Sequence, residues 1–133
     1  MVPRSKLDSI SPFFIADSLA DTLIFYEKLG FTPRILAPEE NPFFAIIQRD
    51  TVEIIVKETS PDTRPQPNST LHEWARWDAF IRVSDPDSLF SEFKSLSVSF
   101  HEELANTDDG LRAFEIKDNN GYILCFAKPL SEY

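Results

Sequence analysis

Apolar residues occur along the chain in two patterns, short continuous runs and runs with helical spacing. Residues 10–16, ISPFFIA, form a mostly apolar run that is short enough for a buried strand. The next segment places its apolar residues on one face of a helix: Leu19, Leu23, Tyr26 and Leu29. Ser18 stands at the N-cap position and Gly30 at the position of a left-handed C-cap, so the sequence predicts a strand followed by a capped helix.

Three further short runs predict strands that complete this unit: residues 31–36, 43–48 and 52–57. A tight turn at Arg49 and Asp50 separates the last two. Residues 59–75 then change in composition and contain three prolines. Because proline lacks an amide donor and disrupts both helices and central strands, this segment is predicted to be a linker without either.

The second half of the chain repeats the order of the first. Residues 77–83 predict a strand, and Asp85 and Pro86 stand at the N-cap and first position of a helix. The apolar residues of that helix again share one face: Leu89, Phe90, Phe93 and Leu96. Three strands are predicted after it: residues 100–105, 111–117 and 122–128.

The repetition indicates that one module has been duplicated. A single offset of 67 residues aligns Ser18 with Asp85 and also aligns the apolar positions of the two predicted helices. We therefore predict an α+β fold, a single domain of residues 1–133 built from two tandem βαβββ modules. The first module spans residues 10–58, the linker 59–75 and the second module 76–129.

The composition favours a folded domain with an acidic surface. Of the 133 residues, 42% are apolar and 13% aromatic, which is enough for a sizeable core. The net charge of −9 argues against a nucleic-acid partner and favours a cationic one. The single cysteine, Cys125, excludes an internal disulfide, and no apolar run approaches the roughly 18 residues of a membrane span. We expect a soluble, cytoplasmic protein with no membrane partner.

Two phrases carry a family resemblance, FYEKLGF at residues 25–31 and FEIKDNNGYILCF at residues 114–126. Together with the paired modules, they make the chain resemble the vicinal oxygen chelate superfamily, the group of the glyoxalases, bleomycin resistance proteins and extradiol dioxygenases. The resemblance implies that the four strands of each module form a curved mixed sheet. It also implies that the two modules together enclose a cavity.

Metal-dependent members of this superfamily place ligands on the first and last strands of each module. By position, those sites fall on four residues: Ser11, Ile55, Asp78 and Cys125. Ile55 cannot bind a metal and a neutral Ser11 is a poor ligand, so fewer than three good ligands remain. We expect no metal, no other cofactor and no catalytic residues.

The resemblance also indicates which residues bind a ligand. Because side chains alternate along a strand, residues an even number of positions from the four ligand positions are expected to face the cavity. With Trp77 at the entry to the second module, the predicted ligand-binding residues are Phe13, Ile15, Glu53, Ile55, Trp77, Asp78, Phe80, Arg82 and Cys125. A mostly apolar and aromatic lining suits an organic ligand held by burial and stacking.

Several of these residues also have a purely structural interpretation. Phe13 and Phe80 could be packing residues, Cys125 a small buried hydrophobe, and Trp77 a cover for the core. Arg82 is the expected partner of Asp78. If Arg82 neutralises that carboxylate, Asp78 is structural and does not anchor a ligand.

Among members of the superfamily, the chain is most similar to the bleomycin resistance proteins, acidic, metal-free homodimers that sequester a cationic, aromatic antibiotic. The resemblance implies a metal-independent protein that binds an aromatic or cationic small molecule between the modules or at a dimer interface. It also implies exchange of the first strand between protomers, for which Pro12 suits an extended arm. The alternatives are a metal-dependent lyase, isomerase or dioxygenase of the same superfamily, and an interaction module with a filled cavity.

Overall fold

The computed structural model describes residues 1–133 and contains the two predicted modules. The first contains β1 (Phe13–Ala16), α1 (Leu19–Lys28), β2 (Thr32–Ala37), β3 (Phe44–Arg49) and β4 (Val52–Glu58). The short helix α2 (Asn68–Leu71) lies in the linker. The second contains β5 (Ala79–Arg82), α3 (Pro86–Ser95), β6 (Glu102–Asn106), β7 (Leu111–Lys117) and β8 (Ile123–Pro129), followed by a 3-10 turn at Leu130–Glu132.

The two sheets have the same topology. The strand order is β1-β4-β3-β2 in the first sheet and β5-β8-β7-β6 in the second. The pairs β1–β4 and β5–β8 are parallel, whereas all other pairs are antiparallel. The predicted α+β fold of two tandem βαβββ modules is therefore confirmed.

Both long helices begin at the predicted caps. The Ser18 hydroxyl accepts a hydrogen bond from the Asp21 amide at 3.2 Å, and the Asp85 carboxylate accepts one from the Ser88 amide at 3.1 Å. These side chains satisfy amides that have no partner within the helix. The helices α1 and α3 have 10 residues each. No helix in the structure is long and apolar enough to cross a membrane.

The hydrophobic core lies between each sheet and its helix, on the side that we call the outer face of the sheet. Eighteen buried residues from both modules form one continuous cluster there. Tyr26, Leu29 and Phe93 are buried in it, as their helical spacing predicts. Leu96, predicted for the same stripe, is 46% exposed because it is the C-cap of α3, where the chain leaves the helix. The opposite side of each sheet is called its inner face.

The two modules contact each other through equivalent elements. The turn before β8 reaches α1, where the Asp118 carboxylate accepts a hydrogen bond from the Tyr26 hydroxyl at 2.5 Å. The turn between β3 and β4 reaches α3, where Arg49 pairs with Glu92 at 2.9 Å and lies 5.7 Å from the centre of the Phe93 ring. Each module thus supplies a turn to the helix of the other, as expected for two copies of one unit.

Some boundaries differ from the sequence predictions. β1 begins at Phe13 instead of residue 10, so Pro12 precedes the strand, and its carbonyl accepts a hydrogen bond from the Ile55 amide at 3.0 Å. The expectation of a linker without a helix is wrong for residues 68–71, which form α2 after the last proline of the segment, Pro67. β1 pairs with β4 of its own chain, and its exchange between protomers stays a prediction.

Candidate ligand-binding surface

An apolar row crosses all four strands on the inner face of the first sheet. The strand register places four side chains next to one another: Phe13, Ile55, Ile46 and Ile35. Both ends of this apolar row are open, with Phe13 56% and Ile35 40% exposed. Single exposed apolar residues are common, but a contiguous apolar strip is typical of a surface that binds a ligand or another protein.

Charged side chains border the apolar row. Glu53, two residues before Ile55 on the same face, pairs with Arg34 at 2.9 Å. Lys57, two residues after Ile55, lies beside Ile15 in the register. The predicted ligand-binding residues of the first module therefore share one face of the sheet, as the alternation of side chains requires.

The inner face of the second sheet is more polar. One row across it contains Phe80, Cys125, Glu115 and Glu102. The next row contains Arg82, Ala127, Ala113 and Ala105. Phe80 is 43% exposed, whereas Ala113 and Ala127 are buried, at 5% and 0% exposed. The two inner faces thus differ in chemistry although their topology is the same.

Trp77 covers part of this second face. Its ring packs against a small cluster of Ala113, Cys125 and Ala127, and lies 5.4 Å from the Phe80 ring. The indole N–H donates a hydrogen bond to Glu115 Oε2 at 3.0 Å. Of the two interpretations open from the sequence, these contacts favour the covering role.

The expected pairing of Asp78 with Arg82 is wrong. Asp78 accepts hydrogen bonds from the amides of Asn68 and Ile123, each at 2.8 Å, one on each carboxylate oxygen. Arg82 pairs instead with Glu132 in the turn after β8. Residues four apart on a strand are separated by roughly 13 Å along it, which is too far for this pairing. Asp78 fastens the linker to the start of β8.

Cys125 is a buried, protonated thiol. Its side chain lies in the cluster under Trp77, and the residue is 1% exposed. Burial, with a further contribution from the nearby Glu115 carboxylate, raises the pKa of Cys125 to about 12. Because thiolate is the form that binds metals, this environment disfavours Cys125 as a metal ligand.

Two grooves bring predicted residues of both modules together. A groove of about 240 Å³ is lined by Glu53 from the first module and by Phe80 and Arg82 from the second. A shallower groove of about 510 Å³ is lined by Phe13 and Ile15 from the first module, with Asp78 from the second. Neither groove includes Ile55, Trp77 or Cys125, which lie elsewhere on the inner faces.

A large cavity lies between the second module and the linker and involves residues that the sequence interpretation missed. It measures about 560 Å³ and lies between β6, β7 and the linker. Glu115, His101 and Arg76 line it. Sequence reasoning considered only the first and last strands of each module, whereas Glu115 lies on β7. The available signal was a glutamate between two apolar residues, Phe114 and Ile116, within a predicted strand.

The residues at the family's ligand positions do not suit a catalytic metal. Ile55 has no donor atom, both oxygens of Asp78 accept hydrogen bonds from backbone amides, and Cys125 is a protonated thiol. No group of three or more His, Cys, Asp and Glu side chains is arranged to hold a metal ion. The donor chemistry of this chain therefore does not fit the metal site of the metal-dependent enzymes.

Comparison with solved structures identifies the fold. A bleomycin-binding protein in complex with bleomycin aligns with a TM-score of 0.69 and 17% sequence identity, covering 92% of this chain and 98% of the other. The bleomycin resistance determinant encoded on transposon Tn5 gives 0.68 and 18%, with the same two coverages of 92% and 98%. A glyoxalase/bleomycin resistance protein/dioxygenase from Alicyclobacillus acidocaldarius gives 0.74 and 16%, covering 94% and 93%.

No protein-family model and no curated protein sequence matches the chain. The likeness is therefore one of three-dimensional structure, with 16–18% identity in these three alignments. It covers both modules and confirms the resemblance that the phrases at residues 25–31 and 114–126 indicated. The chain has the fold of the vicinal oxygen chelate superfamily.

Proposed function

We propose that the protein binds a small organic molecule without a metal, in the manner of the bleomycin resistance proteins. The observation that carries this proposal is the apolar row on the inner face of the first sheet, which a single chain leaves open at both ends. An apolar and aromatic surface with a few charged groups at its border is typical of sites for organic ligands. The net charge of −9 favours a cationic compound.

A second copy of the chain covers the apolar row in this proposal and completes the binding cleft. Apolar side chains as large as Phe13 and Ile35 gain stability when a partner removes them from water. The segment before β1 has exposed apolar residues as well, with Leu7 94% and Ile10 96% exposed. Such an arm is available for exchange between two protomers. Sequestration of an antibiotic in the cytoplasm would then give resistance.

The binding proposal is tested by calorimetric titration with bleomycin and with a panel of other aromatic cations. We expect saturable binding of at least one of these compounds. Phe13→Ala and Phe80→Ala should each weaken it by about tenfold, as the loss of a stacking aromatic ring does. Ile24→Ala is the control, since Ile24 is 68% exposed on α1, away from the inner faces.

The alternative function is a metal-dependent lyase, isomerase or dioxygenase. Elemental analysis of the purified protein separates the two functions. A stoichiometric divalent ion, or binding that Phe13→Ala and Phe80→Ala leave unchanged, would contradict the proposal. Absence of binding across the whole panel would favour an interaction module with no ligand.

A further inference from the structure

The cavity of about 560 Å³ in the second module has a nearly buried carboxylate in its wall. The side chain of Glu115 is 10% exposed and belongs to the inner face of β7. An ionised carboxylate removed from water needs hydrogen bonds or a cation, because its desolvation is costly. The groups around Glu115 therefore indicate what the cavity accepts.

Only one oxygen of Glu115 has a hydrogen-bond partner within the chain. Oε2 accepts the Trp77 indole N–H at 3.0 Å. The His101 Nε2 atom lies 4.0 Å from Oε1, beyond hydrogen-bond distance. Every fully buried side-chain oxygen or nitrogen in the structure has a hydrogen-bond partner. Because Oε1 has no such partner, it is not fully buried and remains accessible from outside the protein. The free acceptor of Glu115 thus opens to the cavity.

The basic residues of the cavity make no hydrogen bond to this carboxylate, although Arg76 forms an ion pair with its Oε2 atom. Arg76 lies 3.9 Å from Glu115 Oε2, but its closer partner is Asp109, at 3.1 Å. Its guanidinium also lies 4.9 Å from the centre of the Trp77 ring, which holds it over the indole. Lys117 lines the cavity without an ion pair to Glu115. A further cation can therefore approach Oε1.

A second carboxylate lies directly beside the first. Glu102 on β6 is the register partner of Glu115, and both line the cavity. Like charges directly opposite one another on a sheet destabilise it. A cation bound between the two carboxylates would reverse that effect.

We propose that this cavity binds a protonated amine, amidinium or guanidinium group of an organic ligand. Glu115 Oε1 is the ion-pair acceptor, and Glu102 supplies the second carboxylate. The inference rests on the proposed function, because the cation would be one end of the ligand that the inner faces bind. It names the chemical class of that end and adds a residue, Glu115, outside the set predicted from the sequence.

The test uses benzamidine as the cation and benzamide as its neutral analogue of similar shape. The chain has two tryptophans, so its indole N–H groups give two NMR signals. Benzamidine should shift the Trp77 signal saturably, because that N–H donates to Glu115, and leave the Trp74 signal in place. Benzamide should shift neither. Glu115→Gln should lower benzamidine affinity by about tenfold or more, the effect of losing a charged hydrogen-bond partner.

Two further variants complete the design. Glu102→Gln should weaken benzamidine binding less than Glu115→Gln. Because Glu102 is exposed, its replacement should not perturb the fold, and Glu102→Gln is the test to use if the NMR spectrum of Glu115→Gln differs from that of the wild type. Glu27→Gln, at an exposed position on α1 away from the inner faces, should leave binding unchanged. Equal binding of benzamide and benzamidine, no saturable shift, or full affinity in both cavity variants would overturn the inference. Bleomycin binding unaffected by Glu115→Gln would overturn it while the proposed function stands. Benzamidine binding that Glu115→Gln weakens, in a protein that carries a stoichiometric divalent ion, would contradict the proposed function while the cavity site stands.

Discussion

Asp118 is the most unusual single residue at the contact between the modules. It is 5% exposed and accepts hydrogen bonds from the Tyr26 hydroxyl at 2.5 Å and from the amides of Asn120 and Tyr122 at 2.8 and 2.9 Å. These bonds favour the ionised carboxylate, but burial outweighs them and raises the pKa of Asp118 to about 6. The contact between modules therefore contains a carboxyl group that titrates at mildly acidic pH.

This residue makes stability depend on pH in a defined direction. The pKa of Asp118 in the folded state, about 6, lies above its ordinary value of 3.8. The folded state therefore binds the proton more tightly, so the stabilising contribution is complete below pH 3.8 and is lost as the pH rises through 6. The two values differ by an amount that corresponds to about 3 kcal/mol in the free energy of unfolding.

Asp118→Asn removes this titration. We expect the free energy of unfolding of the wild type, measured by urea titration relative to the variant, to fall by about 2 kcal/mol between pH 4 and pH 7. Asp108→Asn, at an exposed carboxylate in the loop after β6, is the control and should show no such change. If the difference in the free energy of unfolding between the wild type and Asp118→Asn stays constant from pH 4 to pH 7, the assignment is contradicted.

At the scale of elements, the two helices end in the same way but with different residues. The amide of Phe31 donates to the carbonyl of Tyr26 at 3.0 Å, across the left-handed Gly30 with φ of 89°. After α3, the amide of Val98 donates to the carbonyl of Phe93 at 3.1 Å, across Ser97 with φ of 60°. The backbone motif has been kept in both modules, although only the first has the glycine that this conformation favours.

Ser97→Gly should therefore stabilise the protein. A residue with a Cβ atom is strained at positive φ, and its replacement by glycine should raise the free energy of unfolding by about 0.5–1 kcal/mol. Chemical denaturation measures the change. Ser91→Gly, at an exposed position within α3, is the matched control and should lower stability by about 0.5 kcal/mol. Destabilisation by Ser97→Gly would show that the backbone here is not strained.

Elements were predictable where their signals are local. Ser18 and Asp85 fix the helix starts through hydrogen bonds within a few residues, and both are confirmed. The start of β1 was predicted three residues too early. A strand begins where it pairs with its neighbour, and β1 pairs with β4 from Phe13. Pairing between distant segments is not visible in the spacing of one segment.

For the whole molecule, sequence reasoning predicted the faces of the sheets better than the contacts made across them. Side-chain alternation correctly grouped Phe13 with Ile55 and Phe80 with Cys125. The partners of Asp78 were missed because they are backbone amides, brought near by the linker and β8. Glu115 was missed because its environment depends on a tryptophan 38 residues earlier in the chain.

The arrangement of the modules also explains why large apolar side chains remain exposed on the inner faces. The helices and turns of the two modules pack together into one core, so this contact covers the outer faces. The inner faces carry the exposed side chains of Phe13, Ile35 and Phe80. A surface of this kind is best covered by another molecule, and a second copy of the same chain is the partner that we propose.

We expect light scattering after size exclusion to give twice the 15.2 kDa mass of one chain. Ile35→Glu should shift the mass toward that of one chain, because a charge within a covered apolar row is costly to bury. Ile24→Glu makes the same change at a residue 68% exposed on α1 and should leave the dimer intact. If the wild type is monomeric, or if both variants dissociate equally, the apolar row is not the dimer interface. Ligand binding would then have to occur on the inner face of a single chain, with Phe13 still open to water.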